Sequence, residues 1–200
     1  MLKWIIFISP WQLNLLVDAD HWYVDGTFYS VPQGYYQLIN ISTYHSISNL
    51  YIPLLWAITT HKSYDMYMQL FLDIAKLLPS LKKIRITVDF EVKLIEALKS
   101  IFDCQILGCF YHFSECLRRK AQKLGLLTSK YEEETNQIIK KFKGYCFSQT
   151  DIQSNIINIE NEYQIKIKSH PANSVDQERK VYYDGILIYI FYNITYLQTL

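Results

Sequence analysis

Little in this chain is glycine, six of 200 residues, and alanine is scarce too. It has no internal repeat and no low-complexity linker, which excludes a solenoid or a tethered array and leaves one globular domain, with room for a small appendage. Excess charge of either sign is missing as well: 20 Lys and Arg stand against 19 Asp and Glu. Bulk electrostatics therefore advertises no polyanion, and any nucleic-acid surface has to come from local clustering. Cysteine is sparse, and Cys104, Cys109, Cys116 and Cys146 are too unevenly placed for a secreted disulfide framework, so a reduced, intracellular protein is expected. The sequons at Asn40 and Asn193 then read as chance. No apolar run is long enough to span a bilayer. The opening MLKWIIFISPW has one lysine, a short run and no small-residue cleavage site, and reads as core. The closing VYYDGILIYIFYNITYLQTL is broken by Asp184, Gly185 and Asn193, so no membrane association is expected.

What is present is apolar bulk, 50% of residues, enough for one well-buried core. Tyrosine and isoleucine are abundant, which suits strands but reflects AT-biased coding more strongly. Three strand-like runs follow one another, Trp22 to Ser30, Tyr35 to Tyr44 and Tyr51 to Thr60, separated by Pro, Gly, Ser or Asn, as in an antiparallel meander. Ser63 then caps a helix with Tyr64, Tyr67, Met68, Phe71, Ala75 and Leu78 on one face, stopped by Pro79. KKIRITVDF reads as a fourth strand, leading into a helix with Val92, Ile95, Leu98 and Phe102 on its apolar side. CQILGCF is a fifth strand, before a long helical stretch from about Tyr111. A meander followed by alternating helices and strands is the order of an α/β, ribonuclease H-like mixed sheet, here with a helical extension.

Asp25 interrupts the aromatic, β-branched HWYVDGTFYS. With Gly26 it makes a hairpin turn on a local reading. On the ribonuclease H-like reading, Asp25 lies in the first strand and Asp89 ends the fourth, its neighbour, so that two carboxylates face one another and suit Mg²⁺ or Mn²⁺. For Asp89 alone, the alternative is an N-cap on the helix after TVDFE.

The segments WYVDGTF, YYQLINI, IPLLWAI, ITVDFE and LGCFYHFSECLRRK, in this order, resemble the transposase domain of Mutator-like elements (MULE). The likeness runs from about Trp4 to Phe147. It implies a DDE/D-type cut-and-paste DNA transposase with a ribonuclease H-like core, acting in the nucleus on transposon-end DNA, with Mg²⁺ or Mn²⁺ as cofactor and a homo-oligomer allowed. Asp25 in DGTF matches the first catalytic acid and Asp89 in VDFE the second. Cys109 and His112 fill the family's C-x-x-H, giving His112 an expected role beside the acids.

The cysteines do not read as a zinc knuckle, because a strand rise of about 3.3 Å per residue puts Cys104 and Cys109 roughly 16 Å apart. Cys109 is expected to pack beneath the following helix, with His112 at that helix's start either engaging the scissile phosphate or a carboxylate, or satisfied by a backbone carbonyl. Along the helix Phe113, Leu117, Ala121 and Leu124 share one side, while His112, Arg119 and Lys123 share another. That basic stripe is either a DNA-backbone contact or a solvated face.

The family's third acid, a glutamate beyond a helical insertion, has no matching motif here. Glu160, Glu162 and Glu178 lie downstream without the residues that would license a carry-over. Residues 1–147 therefore read as the catalytic core with the start of the insertion, and 148–200 as a divergent or truncated tail. Three functions follow: an active transposase domain, a catalytically dead remnant that binds DNA or a partner, and another ribonuclease H-like nuclease.

Overall fold

The computed structural model describes residues 2–28, 30–79, 81–123, 127 and 132–145. Leu124, Cys146, Glu160, Glu162, Glu178 and the tail 148–200 lie outside them. The chain divides into two compact units, Met1–Cys109 and Phe110–Leu200.

The first unit opens with a strand and helix that periodicity did not reveal. β1 (Trp4–Phe7) leads through Ser9 into α1 (Pro10–Asp18). Ser9 Oγ accepts from the Gln12 N–H and the Gln12 side chain accepts from the Ser9 N–H, a reciprocal cap, with Pro10 at the first position where its missing N–H costs nothing. The meander follows as β2 (His21–Thr27), β3 (Gln37–His45) and β4 (Leu50–Thr59). Gly34, at φ 91°, sits in the connection between β2 and β3, a left-handed backbone that favours glycine. Asn49, at φ 56°, takes the corresponding place before β4. Then come α2 (Tyr64–Leu77), β5 (Ile84–Val88), α3 (Val92–Ile101) and β6 (Cys104–Gly108).

The strands form one six-stranded sheet in the order β1-β4-β3-β2-β5-β6. The β2-β3-β4 meander is antiparallel, whereas β5 runs parallel to β2 and β6 parallel to β5. This is the expected α/β mixed sheet, and its order is compatible with a ribonuclease H-like fold with β1 added at one edge. A bulge between β3 and β4 matches Ser42 to Pro53 and Ile41 to Leu55, skipping Leu54. Two successive leucines are therefore buried, and Pro53 falls where β1, paired only with Trp56 to Thr59, leaves β4 at the sheet edge.

One sheet face carries the core: Trp22 and Val24 of β2, Ile39 and Ile41 of β3, Ile86 and Val88 of β5 are all buried. The Trp22 ring meets Phe102 edge-on, and Phe102 meets Phe71 of α2, so α2 lies over this face, in contact with α3. The buried positions of α2 are Met66, Tyr67, Leu70, Phe71 and Ile74. The stripe read from the sequence was rotated by part of a turn: Tyr67 and Phe71 hold, whereas Tyr64 is exposed. The reason is that α2 has two neighbours, and burial against both the sheet and α3 widens its apolar face. Likewise Leu94, Ile95, Ala97 and Leu98 are the buried residues of α3, and Val92 is exposed.

The second unit contributes α4 (Phe110–Lys123) and α5 (Glu132–Tyr145), which contact each other. Phe113, Leu117 and Ala121 are buried on α4, the face expected from the spacing. Among the described residues, no helix is long and apolar enough to cross a membrane.

Candidate functional site

Asp25 is not in a turn. It lies inside β2, opposite Asn40 of β3, and the local Asp-Gly hairpin reading is overturned because pairing with β3, Asp25 to Asn40 and Gly26 to Ile39, holds the dipeptide extended. The parallel register matches His21 to Arg85, Trp22 to Ile86, Tyr23 to Thr87 and Val24 to Val88. The next residue on each chain is an aspartate, Asp25 and Asp89. Neighbouring strands run about 4.8 Å apart, so the two carboxylates stand at one end of one pair of strands. Alternation turns Asp25, which is exposed, away from the core face that buries Val24.

Asp89 lies just past the end of β5. The N-cap of α3 is Glu91, not Asp89, and Glu91 makes no side-chain cap hydrogen bond. The Glu91 backbone N–H instead donates to Asp89 Oδ1 at 3.2 Å. The cap expectation is thus corrected by two positions, and one oxygen of the carboxylate is pinned by the turn that leads into the helix.

Beneath this strand end is a polar network that sequence reasoning missed. Tyr67, on α2, directs its hydroxyl toward Gln37 Oε1 and Glu91 Oε1, each at 3.0 Å, a three-centre arrangement for a single hydrogen. Glu91 also receives the Lys62 ammonium, 2.9 Å from Oε2, and its side chain is only 12% exposed. Lys62 in turn lies over the Phe28 ring, 4.7 Å from its centre. Burial, and then the negative charge of Glu91, push the Tyr67 phenol far above its ordinary range, so it stays a donor at any working pH. Gly26 is required here. A Cβ at that position would fall 2.2 Å from Gln37 Nε2, so the glycine after Asp25 is there for the buried Gln37 carboxamide.

On the opposite, less covered face, the His21 ring nitrogen Nε2 is 2.8 Å from Thr87 Oγ1 and the ring stacks on Tyr23. Burial, then the Arg85 charge, lower the His21 pKa, with Asp20 opposing them. Asn40, across from Asp25, donates to Ser42 Oγ at 2.7 Å, and its Oδ1 is buried with no hydrogen-bond partner.

No protein-family model and no curated protein matches the chain.

The donors near Asp25 are of the right chemistry for a hard cation: the Asp25 carboxylate in β2, the Asp89 carboxylate just past the end of the neighbouring β5, and the buried amide oxygen of Asn40 on the residue paired with Asp25. Mg²⁺ keeps several waters and is commonly held by one or two carboxylates together with substrate phosphates, so the pair fits such an ion. Among the described residues, no group of three or more His, Cys, Asp or Glu side chains is arranged to hold a metal.

His112, Arg119 and Lys123 belong to the second unit, on α4. His112 is half-buried, and Arg119 and Lys123 are exposed. The Arg119 Nε–H donates to the Glu115 carbonyl at 3.4 Å, and Arg118 lies 3.6 Å from the Glu115 carboxylate. Cys104 opens β6 and Cys109 lies just beyond its end, its N–H donating to Val88 O at 2.9 Å. They therefore stand at opposite ends of one strand. Burial raises the Cys104 thiol pKa, keeping it in its unreactive form.

Proposed function

We propose that this chain is a DDE/D-type transposase core of the Mutator-like kind, a DNA-binding domain whose Asp25 and Asp89 hold Mg²⁺ or Mn²⁺ for phosphodiester strand cleavage and strand transfer at transposon ends. The observation that carries this reading is the register of β2 against β5, where Val24 pairs with Val88 and each strand continues into an aspartate. The mixed sheet order supports it, because only a meander strand flanked by a parallel neighbour brings these positions together.

When bound, a divalent ion between such carboxylates supplies charge stabilisation to a phosphoryl centre and lowers the pKa of a water. The residues do the remainder. Asp25 and Asp89 bind and orient, with Asp89 preset by the Glu91 N–H. On α4, Arg119 and Lys123 contribute phosphate contacts without sequence choice. A role for His112 rests on the family's C-x-x-H resemblance alone.

A second reading is favoured by one observation, the lack of a third converging ligand among the described residues: a copy that binds metal and DNA and does not turn over. Two-ion chemistry needs both ions held, and a misplacement of about 1 Å costs on the order of a hundredfold in rate. The expected results are that Asp25→Asn and Asp89→Asn each weaken Mn²⁺ binding by about tenfold or more without lowering metal-free stability, since like charges held together repel. On terminal-repeat DNA with Mg²⁺ or Mn²⁺, the first reading expects metal-dependent cleavage and strand transfer, and the second expects neither. Mn²⁺ binding that both variants leave unchanged overturns the site. Metal-dependent turnover abolished by Asp25→Asn overturns the inactive reading.

A further inference from the structure

The Gln37–Tyr67–Glu91 network touches the chain beside each aspartate. Gln37 fills the space left by Gly26, the residue after Asp25. Glu91 holds Asp89 through its own backbone N–H at 3.2 Å. Tyr67, wholly buried on α2, joins the two ends through its hydroxyl. Gln37 pairs with Thr59 and Gly26 with Ile39, so both Gln37 and Gly26 belong to the core face, whereas the Asp25 side chain turns to the other. The network therefore runs under the strand ends without competing for what the aspartates bind.

We infer that Gln37, Tyr67 and Glu91 are positioning residues that set the spacing of Asp25 and Asp89 and so the metal affinity of the pair. This inference rests on the metal-binding reading of those aspartates. The physical reason for it is that β2 and β5 share no backbone pairing beyond Val24 and Val88. Past that point the ladder no longer fixes the separation, and the buried hydrogen-bonded chain ties the two segments to α2. Lys62 neutralises the Glu91 carboxylate, which lets an acid sit in this layer without acting as a ligand itself.

The test is Mn²⁺ affinity of the full chain by electron paramagnetic resonance, with thermal unfolding of the metal-free protein alongside. Tyr67→Phe keeps the ring and deletes the hydroxyl, and a fall of about tenfold or more in Mn²⁺ affinity is expected, the range for partners that orient ligands. Gln37→Leu should do the same, and serves if Tyr67→Phe does not fold. Glu91→Gln keeps both the backbone N–H and an oxygen to accept from Tyr67, so its affinity should stay within about threefold of wild type, whereas Glu91→Ala falls as Tyr67→Phe does. If Asp25→Asn and Asp89→Asn lose Mn²⁺ while Tyr67→Phe and Gln37→Leu do not, the positioning role is overturned and the site stands. If Glu91→Gln loses as much as Glu91→Ala, Glu91 acts through its charge and positioning is again overturned. If the aspartate variants themselves change nothing, the site fails, and this inference with it.

Discussion

The strand end bearing Asp25 and Asp89 and the helix bearing Arg119 and Lys123 both present charge, but they fix it differently. At the strand end, side chains alternate faces with a period of two, so a slip of one residue in register would turn Asp25 into the core and Val24 out of it. Placement there is all or none, and buried neighbours enforce it: Trp22 and Val24 on β2, Ile86 and Val88 on β5. α4 carries four cations, Arg118, Arg119, Lys120 and Lys123, and one carboxylate, Glu115. Arg118 is 65% exposed in its contact with Glu115, and rotating such a helix by a fraction of a turn changes its field only gradually. Register specifies a site, whereas helical periodicity specifies a surface.

The sharpest way to break this contrast is to remove the packing that enforces the register. Trp22 is fully buried, bonded through its indole N–H to Leu16 O and set edge-on against Phe102. Trp22→Ala should cost about 3–5 kcal/mol in urea unfolding, and Mn²⁺ binding should be lost along with the fold. A smaller and purely electrostatic effect is expected on α4. Arg119→Ala with Lys123→Ala should lower affinity for any duplex alike and flatten the slope of log affinity against log salt by about two, roughly 0.9 for each phosphate that is no longer neutralised. Binding that keeps its slope would return α4 to ordinary surface.

The smallest effect belongs to His21, on the sheet face that carries Asp25. Its folded pKa lies below the ordinary 6.5, so between the two values the unfolded chain binds a proton that the folded chain does not. Stability from this group is complete above about pH 6.5 and declines as pH falls through the folded value. His21→Gln, which still reaches Thr87, should show a smaller loss of urea midpoint between about pH 8 and pH 5 than wild type does. An equal loss in both would assign the pH dependence to other groups.

Much of the fold was legible because each element is periodic in its own way. The runs of β2, β3 and β4, the capped helix α2, and the strand-helix-strand of β5, α3 and β6 all carry their period and their punctuation. β1 was not legible, since four residues, WIIF, are too few to show alternation, although SPWQ carried the capping-box signature of α1. The rotated face of α2 shows the same limit from the other side: periodicity finds the middle of one apolar stripe, and a second packing partner moves it.

By itself the sequence determined the strands and helices from β2 to α4, and that acids would punctuate two of the strands, because turn chemistry, capping and hydrophobic period act within a few residues of each position. Only the tertiary structure decided that these two acids share one strand end, that Gly26 exists to admit Gln37, and that Tyr67 joins Gln37 to Glu91 across 30 and 24 positions of chain. Those contacts depend on the parallel pairing of β2 with β5 and on the placement of α2 over the sheet, and no local rule encodes a partner that far away.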